Sequence, residues 1–134
     1  TLDTKGRLVL PAKFRNELGE HAVATRGMDG CIFIFPESAW LGLQSRLDTL
    51  PLTKQKARQF SRFFYASATE LELDRQGRIK LSDTLIDFAD LTKNCVILGV
   101  SKRLEIWSET KWEQLSLHLA DDVDAVSEDL FETI

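Results

Sequence analysis

The pentapeptide Asp3-Thr4-Lys5-Gly6-Arg7 returns as Asp74-Arg75-Gln76-Gly77-Arg78, 71 positions further along the chain. Each copy follows a leucine, Leu2 or Leu73, and precedes a short apolar alternation, Leu8-Val9-Leu10 or Ile79-Lys80-Leu81. With a shift of one residue the match continues, aligning Ile32, Ile34, Phe35, Glu37 and Trp40 with Leu104, Ile106, Trp107, Glu109 and Trp112. The repeated unit is about forty residues, the size of one supersecondary element, and cannot bury its apolar face alone. Two copies are too few for a solenoid, which needs at least about three. The pattern predicts two halves related by a pseudo-twofold, pairing their strands into one β-barrel-like core within a single α+β body.

Within the first unit, Thr1 to Leu10 reads as two short strands around a turn, since Gly6 accepts positive φ and Asp3 can take hydrogen bonds from the turn amides. Pro11 suits a helix start, Phe14 and Leu18 share a face, and Gly19 provides a left-handed stop. His21 to Thr25 and Cys31 to Phe35 are β-rich runs joined through Gly27-Met28-Asp29-Gly30, a hairpin signal. The second unit repeats this order, with Ser82 and Ser108 as N-caps where the first has Pro11 and Pro36, and a hairpin over Val96–Val100 and Arg103–Trp107. Between the units, apolar residues at 40, 43, 47 and 50 form a helical stripe ended by Pro51. A second helix is expected there, capped by Thr53, with Ala57, Phe60 and Phe64 inward and Lys54, Lys56, Arg58 and Arg62 outward. Phe63 falls off that face and is expected to be exposed in a lone subunit. A last helix is expected from Lys111 to about Ala120, with an acidic tail after Asp121.

The 134 residues and 43% apolar content suit one domain. No apolar run approaches the roughly 20 residues of a membrane span and no secretory core is present, so the expected location is cytoplasmic. The chain begins with Thr rather than Met, so an initial segment is expected to precede it. Cys31 and Cys95 occupy non-equivalent repeat positions with no partner at metal-ligand spacing, and read as reduced apolar residues. The only histidines are His21 and His118, no motif pairs a nucleophile with a base, and phosphate-binding glycine loops are absent, which argues against an enzyme.

Net charge is −4, unpromising for a nucleic-acid partner, but its distribution is uneven. Residues 113–134 hold seven acidic groups and no Lys or Arg, whereas residues 41–68 hold Arg46, Lys54, Lys56, Arg58 and Arg62 against Asp48 alone. Lys5, Arg7, Lys13 and Arg15 form a basic cluster in the first unit, which is therefore expected to be the stronger half of any DNA contact. Spacing alone leaves two roles open for Arg7 and Arg78: forking two bonds to guanine or phosphate at the tip of a strand, or closing the turn by pairing with Asp3 and Asp74. Phe60, Phe63, Phe64, Trp40 and Trp112 fall at helical spacing, which favours core packing over base stacking.

The duplicated Asp-x-x-Gly-Arg turns, the helix start Pro11-Ala12-Lys13-Phe14-Arg15 and the insert running from Leu50-Pro51-Leu52-Thr53-Lys54 to Arg62-Phe63-Phe64 resemble the MraZ family, whose units belong to the AbrB-like swapped-hairpin superfamily. The resemblance covers most of the chain and implies two tandem βαββ units in one pseudo-twofold swapped-hairpin barrel. The first unit spans 1–40, a basic two-helix insert 41–68, the second unit 69–112, and a C-terminal helix with acidic tail 113–134. It further implies a bacterial transcriptional regulator, a repressor, that binds repeated sites in the promoter of the cell-division and cell-wall gene cluster, including its own gene, as a ring-forming homo-oligomer on the nucleoid. The implied DNA-contacting set is Lys5, Gly6, Arg7, Lys13, Arg15, Gln76, Gly77 and Arg78, with Asp3 and Asp74 shaping the turns. Double-stranded DNA and further copies of the chain are the expected partners, with no cofactor, metal, membrane or small-molecule substrate. The rival reading is a non-enzymatic assembly or partner-binding module in which the basic turns are incidental.

Overall fold

The computed structural model describes residues 1–134. The chain runs β1 (Arg7–Val9), α1 (Ala12–Leu18), β2 (Ala22–Arg26), β3 (Ile32–Pro36), α2 (Glu37–Asp48), α3 (Gln55–Tyr65), β4 (Thr69–Leu71), β5 (Arg78–Lys80), α4 (Asp83–Phe88), β6 (Cys95–Val100), β7 (Arg103–Ser108) and α5 (Glu109–Leu130). The class is α+β, as the sequence indicates, and the two units do share a core. Their strands lie in two separate sheets, a β1-β5 ribbon and a five-stranded sheet in the order β4-β2-β3-β7-β6, so the ladder does not close into a barrel. The ribbon strands are three residues each, and Pro11 and the Ser82 cap start helices shortly after them.

The pseudo-twofold is visible in both sheets. In the ribbon, Leu8 pairs with its own repeat counterpart Ile79, flanked by Arg7 opposite Lys80 and Val9 opposite Arg78. In the larger sheet, β3 meets β7 around Phe33 and its counterpart Glu105. Each unit thus supplies half of two antiparallel pairings, the self-complementary arrangement of a twofold interface. Two reciprocal backbone bonds seal the exchange, from Leu10 N–H to the Gly77 carbonyl (3.0 Å) and from Leu81 N–H to the Gly6 carbonyl (2.8 Å).

Both faces of the five-stranded sheet are covered, which explains the unbroken apolar run Cys31–Phe35. Ile32, Ile34, Leu104 and Ile106 point to a core shared with the ribbon, α1 and α4. Phe33, Phe35 and Trp107 point the other way and pack with Trp40, Leu47 and Phe64 beneath the insert helices. The insert is fastened by polar groups as well. The Thr25 hydroxyl donates to the Phe64 carbonyl (2.6 Å) and meets Ser67 Oγ at 3.0 Å, while Arg26 donates from Nε and Nη2 to the Phe63 carbonyl (3.0 and 2.7 Å).

Several local expectations hold. The helix over Ala12–Leu18 ends at Gly19 with φ 70°, Asp29 and Gly30 turn the first hairpin at φ 65° and 83°, and Ser82 and Ser108 cap α4 and α5. Others are corrected. Thr53 caps nothing: α3 begins at Gln55 behind an extended Lys54. Phe63 is only half exposed, since Arg26 stacks on its ring at 4.5 Å and Phe88 meets its edge, and Phe60, expected inward, is exposed. The arm preceding β1 forms an isolated Leu2–Leu8 bridge rather than a strand, and β4 pairs with β2 rather than with β5. Helix α5 continues to Leu130 because no Gly or Pro follows Gly99 and the apolar stripe continues through Leu119, Val123, Val126 and Leu130.

Because Leu8 and Ile79 are each about 1% exposed and face each other across the ladder, Leu8→Ala and Ile79→Ala should destabilise to similar extents. Each should lose about 2–5 kcal/mol, and the double variant less than the sum, in urea denaturation.

Candidate nucleic-acid interface

The two Asp-x-x-Gly-Arg turns superpose bond for bond. In the first, Asp3 Oδ1 accepts from the amides of Lys5 and Arg7 (both 2.9 Å) and Oδ2 accepts from Arg7 Nε at 2.7 Å. In the second, Asp74 Oδ1 accepts from the amides of Gln76 and Arg78 (both 2.9 Å) and Oδ2 accepts from Arg78 Nε at 2.8 Å. Gly6 and Gly77 hold the reversal at φ 78° and 75°, where a side chain would be strained. The backbone amide of Arg7, supported by its guanidinium and the Lys5 amide, holds the Asp3 carboxyl below the ordinary aspartate value of 3.8 against the opposing effect of desolvation. The same groups of Arg78 and Gln76 do so for Asp74.

This geometry joins the two roles left open for the arginines. Each closes its turn through Nε, and neither Nη atom of Arg7 or Arg78 has a protein hydrogen-bond partner. The aspartate therefore orients a guanidinium whose far end stays available for a two-bond contact. Since Leu8 and Ile79 point into the core, strand alternation puts Arg7, Val9, Arg78 and Lys80 together on the outer face of the ribbon. A two-stranded ribbon fits the major groove of B-form DNA. Arg7 lies directly opposite Lys80, a like-charge cross-strand pair that costs stability unless an anion is near.

The remaining predicted residues are placed as follows. Lys5 and Gln76 ride on the turns and are exposed, as is Lys13, which reaches over the Phe14 ring at 4.8 Å. Arg15 does not join the first turn. It crosses the pseudo-twofold to the second, where its guanidinium lies so close to Gly77 that a Cβ there would come within 2.8 Å of Cζ. The basic cluster expected in the first unit is thus divided between the turns. Lys80 and Arg75 are two further exposed basic residues at the second turn and its strand. Lys80 was legible as the outward residue of Ile79-Lys80-Leu81, while its place opposite Arg7 depends on a pairing between segments 71 residues apart.

Elsewhere no constellation competes. Burial pushes the Cys31 thiol up to about 12 and raises that of Cys95, and both cysteines are free. No three His, Cys, Asp or Glu side chains gather in a way that could hold a metal ion, and no helix is long and apolar enough to cross a membrane.

The chain is a duplicated α+β module that offers two aspartate-anchored arginines on one exposed ribbon. The family model described as "MraZ protein, putative antitoxin-like" matches it twice, over residues 1–63 and 64–133. Similar proteins, each called transcriptional regulator MraZ, include that of Limosilactobacillus reuteri strain DSM 20016, 52% identical over 97% of this chain and 92% of the relative. Those of Lactiplantibacillus plantarum and Ligilactobacillus salivarius are 53% and 49% identical, each over 98% of this chain and 93% and 92% of their own lengths. The chain belongs to the MraZ family.

The depressed aspartates set a pH dependence. Their contribution to stability is fully present above the ordinary value of 3.8 and is lost as pH falls through the lower folded-state value. Asp3→Asn should flatten the acid limb of a stability profile by lowering stability above about pH 4 while leaving the acid end little changed, as read by thermal melts across pH.

Proposed function

We propose that the chain is a sequence-specific DNA-binding transcriptional regulator, acting on repeated sites in the promoter of a bacterial cell-division and cell-wall gene cluster that includes its own gene, and acting there as a repressor. The observation that carries this reading is the pair of arginines held by Asp3 and Asp74 through Nε, with their Nη ends free on the outer face of one ribbon. An anion placed between Arg7 and Lys80 would relieve their repulsion, as a phosphate does. The names of the relatives support the same reading, which places the protein in the cytoplasm on the nucleoid.

Arg7→Ala should lose about 1–3 kcal/mol of discrimination between the promoter and unrelated duplex if the contact is to guanine, with circular dichroism unchanged. Mobility shift on the DNA upstream of this gene reads both; native affinity in the variant would sink the assignment.

The working form is a homo-oligomer, a ring in our reading. From Leu117 onward every residue of α5 except Ser127 is exposed, and the stripe Leu119, Val123, Val126, Leu130 has no cover within the chain. The same stretch carries most of the acidic tail, while Lys54, Lys56 and Arg62 of the insert are exposed and basic, so a second copy offers complementary charge. Several copies would make contacts to successive repeats intramolecular and raise affinity without new chemistry. This uncovered stripe is also what favours the rival reading of a partner-binding module. Salt separates the two, since DNA affinity resting on counterion release falls steeply with ionic strength and an apolar interface changes little. Val123→Asp should reduce the mass seen by light scattering and, with it, the preference for three repeats over one.

A further inference from the structure

Arg15 is the one side chain of the basic set whose place in space contradicts its place in sequence. It sits in α1 of the first unit, half-buried, and rests against Gly77 in the turn of the second. It makes no ion pair and no hydrogen bond with the protein, and its Nε is buried without a partner. Every other arginine at the turns with a buried function is tied down: Arg7 by Asp3 and Arg78 by Asp74. A guanidinium is weakly hydrated and can lie along a backbone, yet one held beside an arginine-bearing turn with no carboxylate to neutralise it adds uncompensated positive charge there.

The pseudo-twofold supplies an internal control. The counterpart of Arg15 is Ile86, and it occupies the matching place: a Cβ on Gly6 would meet Ile86 Cδ1 at 3.2 Å. The helix of each unit therefore lays one side chain across the turn of the other, and one of those side chains is charged while the other is not. Packing alone is satisfied by isoleucine at this place. The charge at position 15 is therefore in excess of what the fold requires.

Resting on the DNA-binding reading above, we propose that Arg15 is a contact residue of the second turn, where its Nη end meets the phosphate next to the base read by Arg78. The second contact site is composite, built from α1 of the first unit and the Asp74–Arg78 turn of the second. The two halves consequently differ in kind. Arg78 discriminates between sequences, and Arg15 adds affinity that is indifferent to sequence.

The test uses the full chain and a duplex of the DNA upstream of this gene, with binding measured across a salt series. Arg15→Gln should weaken binding about tenfold, equally for promoter and unrelated duplex, and lower the slope of affinity against salt by about one. Arg15→Lys should restore most of the slope. The loss should multiply with that of Arg7→Ala and fall short of multiplying with that of Arg78→Ala, because only the latter shares a site. Ile86→Arg, which removes no polar contact, should raise the slope by about one and remains informative if Arg15→Gln fails to fold. Native affinity and slope in Arg15→Gln, an unchanged slope in Ile86→Arg, or coupling of Arg15 to Arg7 rather than Arg78 would each overturn the proposal while leaving the DNA-binding reading standing. A native chain that binds the duplex with no salt dependence overturns both.

Discussion

The pairing of Leu8 with Ile79 is the contact on which the rest of this molecule depends. Neither β1 nor β5 has any other strand partner, and each is only three residues long. Alone, such a strand would expose its backbone groups and leave its apolar side chain in water. Joined, the two strands close the bottom of the main core and present their outer residues as one surface. The reciprocal bonds from Leu10 to Gly77 and from Leu81 to Gly6 then tie each turn to the strand end of the other unit. The geometry of either arginine is thus a property of both halves.

The second requirement is that the arginines be held without being consumed. A free arginine side chain carries about 2 kcal/mol of rotamer entropy, which any contact must overcome. The Asp3 and Asp74 carboxylates remove part of that freedom in the folded chain, and they remain charged because the turn amides stabilise the anion. The exposed pair itself contributes little to stability. Its effect is to reduce the ordering still needed when a partner arrives.

Much of this was legible in the residues because it is local. Asp29-Gly30 between two β-rich runs signals a hairpin, Gly19 ends a helix, and Ser82 and Ser108 cap the helices that follow them. The duplication exposed the pseudo-twofold because each motif came with its flanking apolar residues. What escaped was set by distant contacts. Thr53 has the chemistry of a cap, yet α3 starts two residues later behind an extended Lys54, and it is the far end of this helix that docks on β2, where Thr25 and Arg26 bond the Phe64 and Phe63 carbonyls. Phe63 was expected in solvent because Arg26 and Phe88, which flank it, are far away in sequence. Arg15 was grouped with Lys5 and Arg7 for the same reason: proximity along a chain is a poor guide when two units exchange their edges. The acidic run after Asp121 hides the continuation of α5 in the sequence, although acidic residues permit a helix that nothing else breaks.

Covalent fusion of the two units has a consequence for directionality. A dimer of separate, identical units would show the same edge twice and could only read a site whose halves mirror each other. Here the pseudo-equivalent positions have diverged, Val9 against Lys80 and Arg15 against Ile86, while the strand pairing that needs symmetry has been kept. The ribbon therefore has a head and a tail. A surface of that kind can distinguish one orientation of an asymmetric sequence from the other, and copies placed on successive direct repeats would all face the same way.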